Sequence, residues 1–338
     1  MRILEIITPS RLGGAERYVG WISRELINRG HDVLIGIRKC DQVEDFYRSL
    51  DIPMRELRIS GKLNPFVKSR TVSLINEFVP DVVHTHLSTA SHWGLAAAKQ
   101  LNVFGVGHMH SFNTVAPYKS ASSMIAVSNA VKEHLAEHGI SASVVYPSSV
   151  IGDVSPSPDV AALGTVIACA ARLREDKGIG VLVEAFSSLG RNDVALVLCG
   201  DGPMKEQIEQ RAATDRLNMH CLGYRPDVPS VFAASTIAVL PSIRPEGYGM
   251  ALYEAQAVGT PVVGTRAGGS VEAMVDGVTG IAVPPNDVGA LAAAMSKLLD
   301  DSVYREDIAA NCKTFAEKRS ISASVDALVS VFESSTRR

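Results

Sequence analysis

The chain of 338 residues is long for one hydrophobic core and suits two domains of about 150 to 180 residues. With 46% apolar and 20% charged residues, 27 Gly and 16 Pro, it is neither disordered nor fibrous. The formal charge of -3 divides unevenly: 16 Lys/Arg against 13 Asp/Glu over residues 1–150 (net +3), and 17 against 23 over 151–338 (net -6), so neither half has the broad basic footprint that binds nucleic acid.

The opening RILEII reads as a short buried strand, with TPSRLGGAE a polar loop after it. A helix follows through YVGWISRELINRG, where Tyr18, Ile22 and Leu26 share a face and Gly30 ends the pattern. Further strands are HDVLIGI, then DVVHTH at 81–86, FGVGHMH at 104–110, MIAVS at 124–128 and SVVYP at 143–147. Helices at 91–102 and 129–139 alternate with them, which predicts a parallel sheet covered on both faces. In the basic segment Arg55, Arg58, Lys62, Lys68 and Arg70, a solvated loop and a docking face are equally good readings.

Ser148–Ala162 is rich in Ser, Pro and Asp and lacks periodicity, as a linker should. A second alternation begins with strands at 165–171, 195–200, 219–223, 237–241 and 261–264. The segment 303–334 is amphipathic and mostly helical. The expected division is an N-terminal Rossmann-like domain over 1–155, a second over 156–310, and a helical segment over 311–338 that packs back on the first. Two such sheets would face each other across a cleft, with ligands at the C-terminal ends of the strands.

Cys40, Cys169, Cys199, Cys221 and Cys312 form no CxxC and no metal-ligand spacing, which fits buried thiols in a reducing compartment. No apolar run reaches signal-peptide or transmembrane length. A cytoplasmic protein is expected, with peripheral contact at the inner membrane face left open.

The polar segments that follow strands carry the chemistry. Gly13 and Gly14, between strand and helix, let backbone N–H groups approach an anion, and the segment lacks the GxGxxG dinucleotide fingerprint. Arg172 and Lys177, in ARLREDKG at 171–178, can neutralise a diphosphate from one loop. Gly200 and Gly202 form a tight turn, and Gly223-Tyr224 another, both suited to a nucleobase. In PSIRPEGYGMALYEA at 241–255, Glu246 precedes a helix whose N–H groups at Gly249, Met250 and Ala251 suit a phosphate. Glu254 lies one and a half turns into that helix, placed for ribose hydroxyls, with Glu246 placed for the sugar. The pairs His84/His86 and His108/His110 fall at strand ends, where alternate residues share a face. No acidic or cysteine ligand accompanies them at clear spacing, so no metal is expected and backbone groups should satisfy them. His110, beside Ser111, reads as a residue near an acceptor.

Together these segments resemble glycosyltransferase family 4, the retaining transferases with a double-Rossmann (GT-B) fold. GGAE at 13–16, ARLREDKG at 171–178, GDGP at 200–203, PSIRPEGYGMALYEAQAVGTPVV at 241–263 and GGSVEAMVDGVTG at 268–280 keep the family's order over nearly the whole chain. The resemblance implies retaining transfer of a sugar from a UDP- or GDP-sugar to a glycan or lipid-linked acceptor, of the sort that builds bacterial surface polysaccharide, lipopolysaccharide included. It implies no metal and no cofactor. His110, Arg172, Lys177 and Glu246 would serve catalysis. Gly14, Gly200, Gly202, Tyr224, Gly247, Tyr248, Gly249, Met250, Ala251 and Glu254 would bind donor, and Gly13, Gly14, Glu16 and His110 would meet acceptor. Two departures stand out. Pro147-Ser148-Ser149 replaces the family's Pro-Asn-Gly turn, and Tyr253, where a small or aliphatic residue is usual, should narrow the site. Rival readings are a nucleotide-sugar epimerase of the same fold and a degenerate sugar-nucleotide-binding partner protein.

Overall fold

The computed structural model describes residues 1–59, 61 and 64–334. Lys62 of the basic segment lies outside them. In chain order the elements are β1 (Arg2–Ile7), α1 (Gly14–Asn28), β2 (Asp32–Ile37), α2 (Asp41–Ser49), β3 (Met54–Glu56), α3 (Pro65–Phe78), β4 (Val82–His86), α4 (Ser88–Gln100), β5 (Phe104–Met109), β6 (Ser123–Ala126), α5 (Asn129–Ala136) and β7 (Ser143–Val144). Then come α6 (Pro158–Ala161), β8 (Thr165–Ala170), α7 (Ile179–Ser188), β9 (Val194–Cys199), α8 (Lys205–Asp215), β10 (Met219–Gly223), α9 (Val228–Ala233), β11 (Ile237–Leu240), α10 (Met250–Ala257), β12 (Val262–Thr265), β13 (Gly280–Val283), α11 (Val288–Asp300), α12 (Ser302–Lys318) and α13 (Ile321–Glu333). No described helix is long and apolar enough to cross a membrane.

The chain divides into two compact units, Met1–Val150 with Arg319–Arg338, and Ile151–Lys318. The helical C-terminal segment therefore splits. α12 belongs to the second unit, and only α13 joins the first. Ser148 and Ser149, at the departure from the family's turn, are buried within the first unit.

The first unit's sheet runs β3-β2-β1-β4-β5-β6-β7, with its described strand pairs parallel. The order reverses between β1 and β4, a switch point of the kind at which open α/β sheets bind ligands beyond the C-terminal strand ends. Side chains alternate across each strand. Ile3 lies under α1 and α13 with Tyr18, Ile22, Leu26, Val325, Leu328 and Phe332, while Leu4 and Ile6 face the opposite layer with Trp93 and Ala97. Glu5, between Leu4 and Ile6, takes the α1/α13 face. Its register partner on β4 is His84.

The second unit repeats the plan with a sheet ordered β10-β9-β8-β11-β12-β13 and a switch between β8 and β11. Its strands are apolar on both faces, VALVLC of β9 being buried throughout, as a parallel sheet covered by helices requires. α7 and α11 close one face with Leu182, Phe186, Leu291 and Leu298. α10 packs between the sheet and α12, and the Tyr253 hydroxyl donates to the Ala316 carbonyl at 3.4 Å. Tyr253 is 3% exposed and belongs to this helix packing. It does not narrow the site, because its position in α10 points it at α12.

Candidate active site

In the second unit the loops leaving β8, β9 and β11 are tied together by their backbones. Leu173 N–H donates to the Asp201 carbonyl at 3.0 Å, Met204 N–H to Leu173 at 3.1 Å, and Ile243 N–H to Asp176 at 3.1 Å. Two glycines make this proximity feasible. Gly178 has φ 67°, and a Cβ there would stand 1.9 Å from the Pro241 carbonyl oxygen; at Gly200 it would stand 2.0 Å from that of Ala171. Glu246 is held on both sides, its N–H donating to the Ala267 carbonyl at 3.0 Å and its carbonyl accepting from Gly269 at 2.8 Å.

This frame brings Lys177, after β8, onto Glu246, after β11. The ammonium is paired with Glu246 Oε1, which also accepts from the Ser242 hydroxyl. Each side chain is 16% exposed, so the pair is less screened by water than a surface bridge. A cation and an anion thus stand side by side at the switch point, one suited to phosphate and the other to sugar hydroxyls.

α10 begins beside them. Met250 N–H turns onto the Tyr248 carbonyl at 3.0 Å. Of the three N–H groups expected to receive phosphate, those of Gly249 and Ala251 are left without an acceptor among the described residues. Gly247, Tyr248 and Gly249 are buried, and Glu254 is half-buried one turn further along. Tyr224 is 57% exposed at the end of β10, its N–H donating to Asp201 Oδ2 at 3.1 Å. Beside it Arg225 grips Asp159, Ser157 and Asp227, tying the start of the unit to β10 and holding the Asp159 carboxyl down at about 2. Sequence reading passed over a neighbouring recess of about 520 Å³ lined by Arg174, Glu175, Asp176, Pro203, Ile243 and Arg244. Its two arginines sit in the same loops as Lys177 and Glu246.

In the first unit Gly13 caps α1 and Glu16 folds back on it, with Gly13 N–H donating to Glu16 Oε2 at 3.1 Å. The Glu16 carboxylate is buried, and that burial raises its pKa above the ordinary range. Its side chain serves the loop that presents Gly13 and Gly14.

The histidines form a buried chain. Glu5 lies at its centre. His84 Nδ1 lies between the two Glu5 oxygens, 2.9 Å from Oε2 and 3.1 Å from Oε1, and His86 Nε2 is 2.7 Å from Oε2. His84 Nε2 meets His108 Nδ1 at 3.2 Å, and His86 Nδ1 meets His110 Nε2 at 2.9 Å. The expectation that backbone groups satisfy these rings, with no acidic partner near them, is corrected. Parallel register sets Glu5 beside His84 and His86 beside His108, so carboxylate and rings share one face. His108 and His110 stack at 4.4 Å, with Tyr18 edge-on to both. Burial pushes His86 and His108 far below the ordinary imidazole value and His110 down to about 3, so all three are neutral at physiological pH. One nitrogen each of His84, His86 and His108 lies within 4.8 Å of the others, close enough for a cation to bridge. The hydrogen-bond chain accounts for that closeness by itself. Leu87, next after His86, has φ 67° and ψ 153°, a region that side chains rarely adopt, and it marks this strand end as held under strain.

Two family models cover most of the chain. Glycosyltransferase Family 4 matches residues 12–148, and Glycosyl transferases group 1 matches residues 161–315. The fold agrees with the Anabaena Alr3699/HepE structure in complex with UDP at a TM-score of 0.87, with 23% identity over 99% of this chain and 100% of that one. The chain belongs to the GT-B glycosyltransferase superfamily. Among curated relatives, the alpha-D-kanosaminyltransferase of Streptomyces kanamyceticus is 33% identical over 168 residues, 48% of this chain and 43% of its own length. The GDP-mannose-dependent alpha-(1-6)-phosphatidylinositol monomannoside mannosyltransferase of Mycolicibacterium smegmatis is 27% identical over 336 residues, 87% of each.

Within this GT-B chain, the group 1 match spans the Lys177 and Glu246 loops and Glu254 of α10, and the family 4 match spans Gly13 to His110. Glu5 precedes both matches. Its signal in the sequence is a lone carboxylate inside RILEII, an otherwise apolar strand, where a buried charged group needs a partner.

Proposed function

We propose that the protein is a retaining glycosyltransferase that moves a sugar from a nucleoside-diphosphate sugar to a hydroxyl of a glycan or lipid-linked acceptor. The Lys177–Glu246 pair at the second unit's switch point carries this reading, with the N–H groups of Gly249 and Ala251 alongside. In this mechanism the second unit holds the donor. Arg172, Lys177 and the start of α10 take up the charge that grows on the departing diphosphate. A diphosphate, bearing two negative charges to a carboxylate's one, draws the Lys177 ammonium from Glu246 and leaves Glu246 to accept from sugar hydroxyls. Glu254 accepts from the ribose, and Gly200, Gly202 and Tyr224 border the base. The first unit brings the acceptor to Gly13, Gly14 and His110. The acceptor hydroxyl enters on the face from which phosphate leaves, and the leaving phosphate takes its proton. The anomeric configuration is retained, and no strong protein base is needed.

The relatives point to two donors, since the Anabaena protein was crystallised with UDP and the mycobacterial enzyme is named for GDP-mannose. Titration calorimetry with UDP, GDP and ADP in EDTA separates them. One nucleotide should bind, and Lys177→Ala should cut turnover at least about 100-fold. Product formed without acceptor would favour the epimerase, and normal turnover in Lys177→Ala would remove the diphosphate role. The anomeric proton coupling of the product reports retention.

A further inference from the structure

The proton positions of the histidine chain follow from its geometry. The Glu5 carboxylate can only accept. His84 Nδ1 and His86 Nε2 therefore carry the protons that point at it, at 2.9 and 2.7 Å. A neutral imidazole has one N–H and one lone pair. His86, kept neutral by burial, therefore accepts at Nδ1, so His110 donates through Nε2; the bond between His84 Nε2 and His108 Nδ1 takes its donor from His108. Two ends remain. His108 Nε2 is buried with no hydrogen-bond partner, which a lone pair tolerates better than an N–H would. His110 is half-buried, and its Nδ1 has no partner among the described residues.

We propose that Glu5 is a positioning residue: through His86 it holds His110 as the Nε2–H tautomer, so that Nδ1 offers a lone pair to a substrate hydroxyl. The functional half rests on the reading of His110 as a site residue. The tautomer does not. Among the described residues His86 and His110 bond only to Glu5 and to each other through their rings, while the Tyr18 hydroxyl of α1 bonds the Ser324 hydroxyl of α13 at 2.7 Å. Neither hydroxyl reaches the His86–His110 bond, so the direction of that bond is set from Glu5.

Glu5→Gln tests the arrangement at nearly constant volume. A carboxamide has one accepting oxygen; at the Oε2 position it could serve both rings, 2.9 and 2.7 Å away, but would set its buried NH₂ against the His84 N–H, so one branch should reverse to accept an amide N–H. Reversal on the His84 side would bury an N–H at His108 Nε2 with no partner. The amide should therefore face His86 and reverse that branch, turning His110 to Nδ1–H, a donor where the wild type has an acceptor. Long-range ¹H–¹⁵N correlation on the full chain labelled with ¹⁵N-histidine reads the tautomers, with His110→Gln assigning the signal. The expected result is His110 protonated at Nε2 in the wild type and at Nδ1 in Glu5→Gln. Release of UDP from UDP-glucose or GDP from GDP-mannose should fall at least tenfold in Glu5→Gln through kcat, with nucleotide Kd within twofold of wild type. A purely structural role would not move the tautomer. Nδ1–H in the wild type, or an unchanged tautomer in Glu5→Gln, overturns the proposal. If Glu5→Gln does not fold, the wild-type spectrum alone decides it. Wild-type turnover in His110→Ala, with the tautomer shift still seen, would overturn the placement of His110 in the site and the role of its lone pair.

Discussion

The two units share a strand order around a switch point, yet they arm it in opposite ways. The first buries its polar groups inside the strands: Glu5 on β1, His84 and His86 on β4, and His108 on β5 are all fully buried. The second keeps its strands apolar and carries Lys177 and Glu246 on loops, each 16% exposed. The strand solution costs desolvation, met by keeping His86 and His108 neutral and the rings hydrogen-bonded. The loop solution costs backbone freedom, met by glycines where loops touch. One unit should therefore be sensitive to pH and the other to small changes in backbone shape.

The largest expected effect is on the second unit. Gly178→Val puts a branched side chain at φ 67°, against the Pro241 carbonyl, and should cost more than about 3 kcal/mol. Hydrogen exchange should show β8 and β11 losing protection while β1 and β4 keep theirs. Unchanged protection in β8 would mean that the loops are not interlocked.

Acid should do the converse. Burial depresses His86, His108 and His110, so below the ordinary value of 6.5 the unfolded chain takes up protons that the folded unit refuses. The stability from keeping them neutral is full above 6.5 and is lost as pH falls toward the depressed folded values. The slope is at most about 1.4 kcal/mol per pH unit for each ring. In the second unit the shifted carboxylates Asp159, Asp176, Asp193, Asp227 and Asp276 lie below their ordinary 3.8, so their contribution is lost only as pH falls below that value. At pH 5, β4 and β5 should exchange faster than at pH 7 after correction for intrinsic rates, and β8 and β9 should not. Equal loss in both units would erase the contrast.

Glu254→Gln keeps the shape of the loops but removes a charge, and should weaken nucleotide binding about tenfold, near 1.4 kcal/mol. Unchanged affinity by calorimetry would take Glu254 out of the donor site. The smallest effect is Tyr253→Phe, which loses one long hydrogen bond to Ala316 and should cost no more than about 1 kcal/mol in urea unfolding, with turnover unchanged. A clear change in donor preference would return Tyr253 to the site.

The alternation of apolar strands with amphipathic helices was legible in the chain, since periodicity and turn residues are local properties. So were the segments that bear Arg172, Lys177, Glu246 and Glu254, because each follows a strand and precedes a helix. Tertiary structure alone decided three things. Glu5 meets His84 and His86 because β1 and β4 pair in register across 79 and 81 residues of chain, a distance that no local pattern spans. Tyr253 faces α12 because helix packing, and not its place in a motif, sets its direction. α12 and α13 read as one amphipathic run but part at Lys318, each following the apolar face that covers its stripe: the second unit's core beside Ile308 and Cys312 for one, Tyr18 and Ile3 beside Val325 for the other. A helix's periodicity says that it has an apolar face, and only the assembled sheets say which surface that face will cover.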